Sequence, residues 1–370
     1  MHFKILLFIS FFSKKVNKCT KMQKFCRLCL YQLYIIIFSQ GTKMKRIISA
    51  LLLAVTATVP VIATAWEPTK PISVVIGFKP GSGNEVGFRV LAAEVTKANP
   101  TANFVIELKP GADSVIATNY LQEAKPDGYT ISVPSYMGTY ITNDIWQKDL
   151  MKFKWDSFIT VMGMGKSPLT IVAHPSSKIN TPTELEEYVK NTKKPVNFAV
   201  GSGAHRLTFE YFMWKANGNK ELVKFVQFAG PLQTVTATAT DAGIEFGIMP
   251  ISIALPLVQA GKVKVIGITG DKKLAGLPTA ELIKVSGSYI DIYAAWTLAL
   301  PPNTPAEIVE WYRKAFTAAL DTPVVKKYYE DNLIVPAVGE MTPEGFNKHA
   351  KQLRDTWLPL ADKVDLSEPK

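Results

Sequence analysis

The chain has 370 residues, 47% of them hydrophobic, which is enough apolar side chain for a packed core in more than one domain and too much for a mostly disordered chain. Its formal charge is +11, but ten of the 42 Lys and Arg residues fall in residues 1–65, where there is no Asp or Glu; residues 66–370 carry 32 basic against 31 acidic groups and offer no global field for a nucleic acid. The three cysteines, Cys19, Cys26 and Cys29, lie in the same leader, which excludes a disulfide framework, a cysteine-ligated metal and a cysteine nucleophile from the body.

The leader reads as an address. Lys43-Met44-Lys45-Arg46 is a basic cluster, Ile47 to Val61 is apolar and uncharged, and Ala63-Thr64-Ala65 places small residues where a signal peptidase reads them. Residues 44–65 are therefore expected to be a secretory signal peptide cleaved after Ala65. A membrane anchor is the competing reading, because residues 47–65 approach the ~20 apolar residues a bilayer requires. The A-x-A site directly before a domain start favours cleavage. Residues 1–43, rich in Phe, Ile, Lys and Tyr, read as an upstream mis-start or an extended leader, Met44 being placed where a signal peptide begins.

Along the body, short runs rich in Val, Ile and Phe predict strands at Ile72–Phe78, Phe104–Leu108, Tyr129–Val133, Leu169–His174, Val196–Val200, Val223–Phe228, Ile244–Met249, Val263–Thr269 and Ala294–Leu300. Helical segments alternate with them. After the first strand, Val86, Val90 and Ala93 fall at helical spacing, with Phe88, Leu91 and Val95 widening the apolar face. Thr181-x-x-Glu184 and Thr304-x-x-Glu307 have the capping-box pattern with Pro at the first helical position, and predict helices Pro182–Lys190 and Pro305–Leu320. The alternation implies α/β units on mixed or parallel sheets.

Two glycine-rich loops each join a strand to a helix. The first is Gly77-Phe78-Lys79-Pro80-Gly81-Ser82-Gly83-Asn84-Glu85 and the second Gly201-Ser202-Gly203-Ala204-His205-Arg206. Glycines let backbone N–H groups approach a ligand, and the helix that follows adds unpaired donors and a positive dipole end. Such loops hold an anion without requiring an arginine, although a tight turn needs glycine for geometry alone. The first matches neither the dinucleotide fingerprint nor a P-loop. Ser202 lacks the Gly-x-Ser-x-Gly frame, so pairing it with His205 as a hydrolase is a distant reading. His174, His205 and His349 are too dispersed for a metal pattern. The residues alone imply a small anionic ligand held between two loops, with no catalytic residue, metal or cofactor.

Trp66-Glu67-Pro68-Thr69-Lys70-Pro71-Ile72, Phe78-Lys79-Pro80-Gly81-Ser82-Gly83, Lys109-Pro110-Gly111-Ala112, Pro126-Asp127-Gly128-Tyr129-Thr130, Gly201-Ser202-Gly203, Gln259-Ala260-Gly261-Lys262 and Trp296-Thr297-Leu298-Ala299-Leu300-Pro301 stand in a telling order. By that order and spacing the body, residues 66–364, resembles the periplasmic receptors of tripartite tricarboxylate transporters, the Bug receptor family. The resemblance implies a type II periplasmic-binding-protein fold of class α/β: two α/β lobes joined by crossing strands, with the ligand in the cleft. One lobe would comprise residues 66–166 and 291–370, the other 167–290, with crossings near Leu169–His174 and Ala294–Leu300. It further implies a monomeric receptor that takes an organic carboxylate on loop N–H groups and water and delivers it to large and small membrane subunits. A module feeding a membrane sensor is the alternative.

Departures from the family pattern mark candidate ligand contacts. Asn84-Glu85 stands where Thr-Asp is frequent, and Glu85 either caps the helix or meets the ligand. Lys79 replaces a common proline and offers a charge to a carboxylate or to solvent. Arg206 stands where the family often has histidine, with His205 one residue earlier; a bidentate carboxylate contact or a surface position both fit. Ser135 and Tyr136 follow the third strand and Met249 the seventh, so both segments are expected at the cleft. The family's aspartate near Met249 is missing, which weakens an amino-acid ligand.

Overall fold

The computed structural model describes residues 66–240, 243–337 and 342–361. The signal peptide expected over residues 44–65, its cleavage point at Ala65 and the stretch 1–43 lie outside the described residues. The described residues form one compact unit.

The first half-sheet is built from Ile72–Ile76 (β1), Phe104–Leu108 (β2) and Thr130–Ser132 (β3), with β1 pairing in parallel to both others. The crossovers carry helices Gly83–Ala98 (α1) and Val115–Glu123 (α2). On α1 the buried stripe is Phe88, Leu91, Ala92 and Val95, while Val86 is exposed. The Val86–Val90–Ala93 stripe expected from spacing is thus displaced: the aromatic and leucine side chains, which bury more area than Val or Ala, take the core side. A wide turn at Gly138–Thr142 leads through the single-turn helix Asn143–Trp146 (α3) to strand Ile159–Ala173 (β4).

The second half-sheet repeats the parallel pattern. Pro182–Asn191 (α4) leads to Val196–Val200 (β5), Gly203–Ala216 (α5) to Val223–Gln227 (β6), and Pro231–Ala239 (α6) to Phe246–Pro250 (β7); β5 pairs in parallel with β6 and β7. Ile251–Gln259 (α7) and Lys264–Ile268 (β8) follow, then a small hairpin of Lys284–Val285 (β9) and Ser288–Tyr289 (β10) that the sequence pattern did not suggest. Tyr293–Leu300 (β11) returns to the first half, and Ala306–Leu320 (α8) and Pro323–Asp331 (α9) complete its helical layer, with Phe316 of α8 stacked against Phe88. The last helix, Pro343–Ala361 (α10), packs on β4 and on the 138–142 turn, with Arg354 reaching Asp144 and the Tyr140 carbonyl.

Nine of the eleven strands described lie in one sheet, in the order β2-β1-β3-β11-β4-β7-β5-β6, with β8 also on β4. β4 makes this possible. Over residues 159–168 it pairs antiparallel with β11, and over residues 169–173 with β7 and β8. Pro168, which has no N–H to give, falls at the changeover between partners. The strand therefore begins ten residues before the expected Leu169, across Gly163, Gly165 and Pro168, which read locally as a turn.

The two capping patterns have different outcomes. Thr181 accepts the Glu184 N–H and caps α4. Thr304 instead donates to the Pro301 carbonyl, and α8 starts without a side-chain cap. Both crossing strands are tied at Thr269, which is fully buried: its hydroxyl oxygen accepts the Leu169 N–H at 2.9 Å while the hydroxyl donates to the Ile292 carbonyl. Thr269→Val leaves both groups unpaired in the interior, and is expected to lower unfolding free energy by about 1–3 kcal/mol, read from the urea midpoint. An unchanged midpoint would show that the crossing does not rely on this bridge.

Candidate ligand-binding site

In parallel sheets, ligands bind beyond the carboxyl ends of the strands. Here β1 and β2 end at Ile76 and Leu108, and β5, β6 and β7 end at Val200, Gln227 and Pro250. The loops leaving these ends border two adjoining spaces. A crevice of about 40 Å³ lies between Phe78, Ser82, Gly83, Asn84, Ser135, Gly201, Ser202, His205, Pro231, Pro250 and Trp296. A cavity of about 590 Å³ is lined by Lys79, Asp113, Trp146, Arg206, Phe225 and Phe228, and shares Phe78, Gly201 and Ser202 with the crevice.

The two glycine-rich loops have the same local construction. Ser82 and Ser202 are the N-cap residues of α1 and α5, and each hydroxyl accepts the N–H three residues on, from Glu85 and His205 at 3.4 Å. Both helix N-termini border the crevice, so two positive dipole ends meet there. At α1 the N–H groups of Gly83 and Asn84 have no partner among the described residues. At α5 the Gly203 N–H is taken: it donates to Oδ2 of Asp113 at 3.1 Å. Gly203 cannot carry a side chain, since a Cβ would sit 2.9 Å from the Trp146 ring and 3.0 Å from Asp113 Oδ2.

Of the residues expected at the site, Phe78, Ser82, Gly83, Asn84, Ser135, Gly201, Ser202 and His205 border the crevice, and Lys79, Gly203 and Arg206 the larger cavity. Asn84 also ties its loop to the sheet, donating to the Val133 carbonyl at 2.9 Å. Pro80, Gly81, Glu85, Tyr136, Ala204 and Met249 line neither space. Glu85 acts as the cap partner: it accepts the Gly81 N–H at 2.8 Å and pairs with Arg89 at 2.7 Å. Tyr136 turns into the core against Tyr140 and Phe346, with its hydroxyl 2.8 Å from Nδ1 of His349. Met249 is buried beneath α7, and Pro250 borders the crevice in its place.

Arg206 is held rather than presented. Its Nε donates to Glu210 at 2.7 Å, and its guanidinium lies between Trp146 and Phe225, 5.3 and 5.4 Å from the ring centres. The Ser202 hydroxyl accepts the His205 backbone N–H, and Nδ1 of the His205 ring is buried without a hydrogen-bond partner among the described residues, so the hydroxyl is not bonded to that ring nitrogen. Trp296 also borders the crevice, and its Nε1, on the side of Gly87, is buried without a hydrogen-bond partner among the described residues.

Sequence reasoning passed over Asp113, Trp146, Phe225, Phe228 and Trp296. Asp113 alone carried a local signal: an acidic residue directly after Lys109-Pro110-Gly111-Ala112, in the turn that leaves β2. Burial pushes its carboxyl up to about 6, with the Gly203 N–H and the Thr142 hydroxyl pulling the other way. Burial pushes the His205 imidazole down to about 4, which keeps the ring neutral near pH 7.

Comparison with known proteins adds the following. A family model described as tripartite tricarboxylate transporter family receptor matches residues 74–365. Among solved structures, the periplasmic binding protein BugD superimposes with a TM-score of 0.73 at 21% identity, covering 82% of this chain and all of that one. An R. palustris protein solved with adipate gives 0.73 at 20% identity, covering 80% and 97%. MatC from Rhodopseudomonas palustris, with bound malate, gives 0.72 at 21% identity, covering 80% and 100%. These likenesses show the type II periplasmic-binding-protein fold.

The two shifted groups act on stability in opposite directions. Below about pH 6.5 the unfolded chain protonates His205 while the folded chain refuses the proton until about pH 4, so stability is lost as pH falls through that window. Asp113 holds a proton in the folded chain up to about pH 6, so its share of stability falls as pH rises from about 4 to 6. His205→Gln should therefore lose less melting temperature between pH 6.5 and 4.5 than the parent protein does. Equal losses would mean that the folded protein protonates His205 freely.

Proposed function

This chain belongs to the tripartite tricarboxylate transporter family of receptors, and from that premise we propose that it captures a small organic carboxylate in the periplasm and delivers it to the membrane subunits of such a transporter. The observation that carries the reading is the convergence of two serine-capped helix N-termini on one crevice. Backbone donors and dipole ends suit a carboxylate, because they attract negative charge while the fold keeps them fixed. Arg206, already paired, is not needed for this. The neighbours solved with adipate and malate support the same ligand class.

In this reading residues 66–166 with 291–370 and residues 167–290 act as two lobes that close on the ligand, a hinge-type change centred on β4 and β11. The receptor works as a monomer and binds its ligand without changing it. Export uses residues 44–65, removed after Ala65. Among the described residues no helix is long and apolar enough to cross a membrane. Family membership supports delivery to a transporter over the sensing alternative.

Residues 66–370, purified free of ligand and shown to be folded, would be screened by thermal shift against aliphatic, aromatic, di- and tricarboxylic acids, with the corresponding amides as controls. A ligand at about 100 times its Kd adds about 2.7 kcal/mol to stability, a visible rise in melting temperature. At least one carboxylate is expected to give such a rise and its amide none. No shift with any carboxylate would overturn the ligand class.

A further inference from the structure

We propose that Asp113 sets the specificity of this site, and that the favoured ligand is a carboxylate with an apolar body and a hydrogen-bond donor, hydroxyl or ammonium, at its far end, in preference to a second carboxylate. The proposal rests on the receptor reading above and names the class within it.

The argument begins with an asymmetry. Two helix N-termini built alike face one crevice, yet one of them already carries an anion. Asp113 Oδ2 accepts the Gly203 N–H of α5 at 3.1 Å and faces the Thr142 hydroxyl at 3.4 Å. At α1, Gly83 and Asn84 present N–H groups that no described residue takes, and the carboxylate of Glu85 is turned away onto Gly81 and Arg89. Lys79, bordering the larger cavity from the first loop, adds positive charge on the α1 side. A ligand carboxylate is therefore drawn to the α1 side. What approaches α5 from the larger cavity meets the Asp113 carboxylate already seated on the first N–H of that helix.

Asp113 is placed to read the ligand. It lines the 590 Å³ cavity, its second oxygen accepts no hydrogen bond from a described residue, and no described Lys or Arg lies within ion-pair distance of it. The side chain is not free to swing out. Ala112, Asp113 and Ser114 all have left-handed backbone conformation, with φ of 46°, 48° and 79°. The turn is fixed by the Ser114 N–H on the Gly111 carbonyl at 3.1 Å and by the Asn143 amide on the Asp113 carbonyl at 3.3 Å. A rigid carboxylate with an unused acceptor rewards a donor with a charge-assisted hydrogen bond and repels a like charge. The body of the ligand then lies against Phe78, Trp146, Phe225 and Phe228, four aromatic walls of that cavity. His205 borders the crevice, and its buried Nδ1 has no hydrogen-bond partner among the described residues.

Two matched ligand series separate the possibilities: hexanoate with its ω-hydroxy and ω-amino derivatives and adipate, and benzoate with its para-hydroxy and para-aminomethyl derivatives and terephthalate. Affinities would be measured by calorimetry on residues 66–370 and on Asp113→Asn. Asparagine tolerates the left-handed turn and keeps an acceptor for Gly203, so the variant should fold. In the parent protein the ω-amino or para-aminomethyl member of the better-bound series should bind at least about tenfold tighter than the matching dicarboxylate, with the hydroxy member above the unsubstituted acid. Asp113→Asn should abolish or reverse the amino-over-dicarboxylate order. A dicarboxylate that binds as tightly as its amino counterpart, or an order unchanged in Asp113→Asn, overturns the role of Asp113 while the carboxylate reading stands. Binding of malate or citrate with no response to either series does the same. No binding by any carboxylate overturns both readings. Should the variant not fold, the order in the parent protein decides alone.

Discussion

The geometry of the site depends on β4 serving two sets of partners along one strand. Its first ten residues are zipped antiparallel to β11 and its last five to β7 and β8. Parallel strands within each half must present their carboxyl ends along one edge, so β4 decides how the two edges meet. A slip of one residue would exchange its faces and bury the wrong side chains. The burial of nearly all of β4, and the bridge from Thr269 to both crossing strands, guard against that slip. With β4 fixed, the glycine loops after β1 and β5 border one crevice, and the Asp113 side chain, from the turn after β2, reaches the Gly203 N–H of the second loop.

Charge is handled there with few ions. The candidate cation on α5, Arg206, is matched by Glu210 and enclosed by two aromatic rings, and His205 is kept neutral by burial. What remains is oriented backbone, two capped helix ends with serine hydroxyls holding the third N–H of each. Such dipoles cost nothing to reorganise when a ligand arrives and lose little to screening inside a cleft. Their weakness is that they do not discriminate among anions. Discrimination must come from groups fixed around them, the role proposed for the acceptor oxygens of Asp113 on the wall of the larger cavity.

The strand plan was legible because buried parallel strands leave an unmistakable run of Val, Ile and Phe between turn residues. Nine runs marked nine strands of the sheet. The first ten residues of β4 escaped because Gly163, Gly165 and Pro168 look like a turn until β11 is present to pair with them. The loops of the site were legible for a local reason too, glycine and serine at the start of a helix. Side chains in the flanking segments were harder. Ser135 borders the crevice and Tyr136 does not; Pro250 borders it and Met249 does not. Met249 and Pro250 are neighbours in extended β7 and send their side chains to opposite sides, whereas the chain turns helical at Tyr136 just after Ser135, so placing a segment at the cleft does not place each of its residues. Asp113, Trp146 and Phe225 come from three separate connections, and only the folded sheet brings them to one wall.

The walls of the cleft also make the protein its own optical instrument. Of seven tryptophans, Trp146 borders the larger cavity and Trp296 the crevice, while Trp66 and Trp311 pack against each other in the outer helical layer. Indole emission follows the polarity around the ring. Occupancy at either space therefore changes the light from one pair of indoles against the steady background of the other, and the chain carries its reporter without a label.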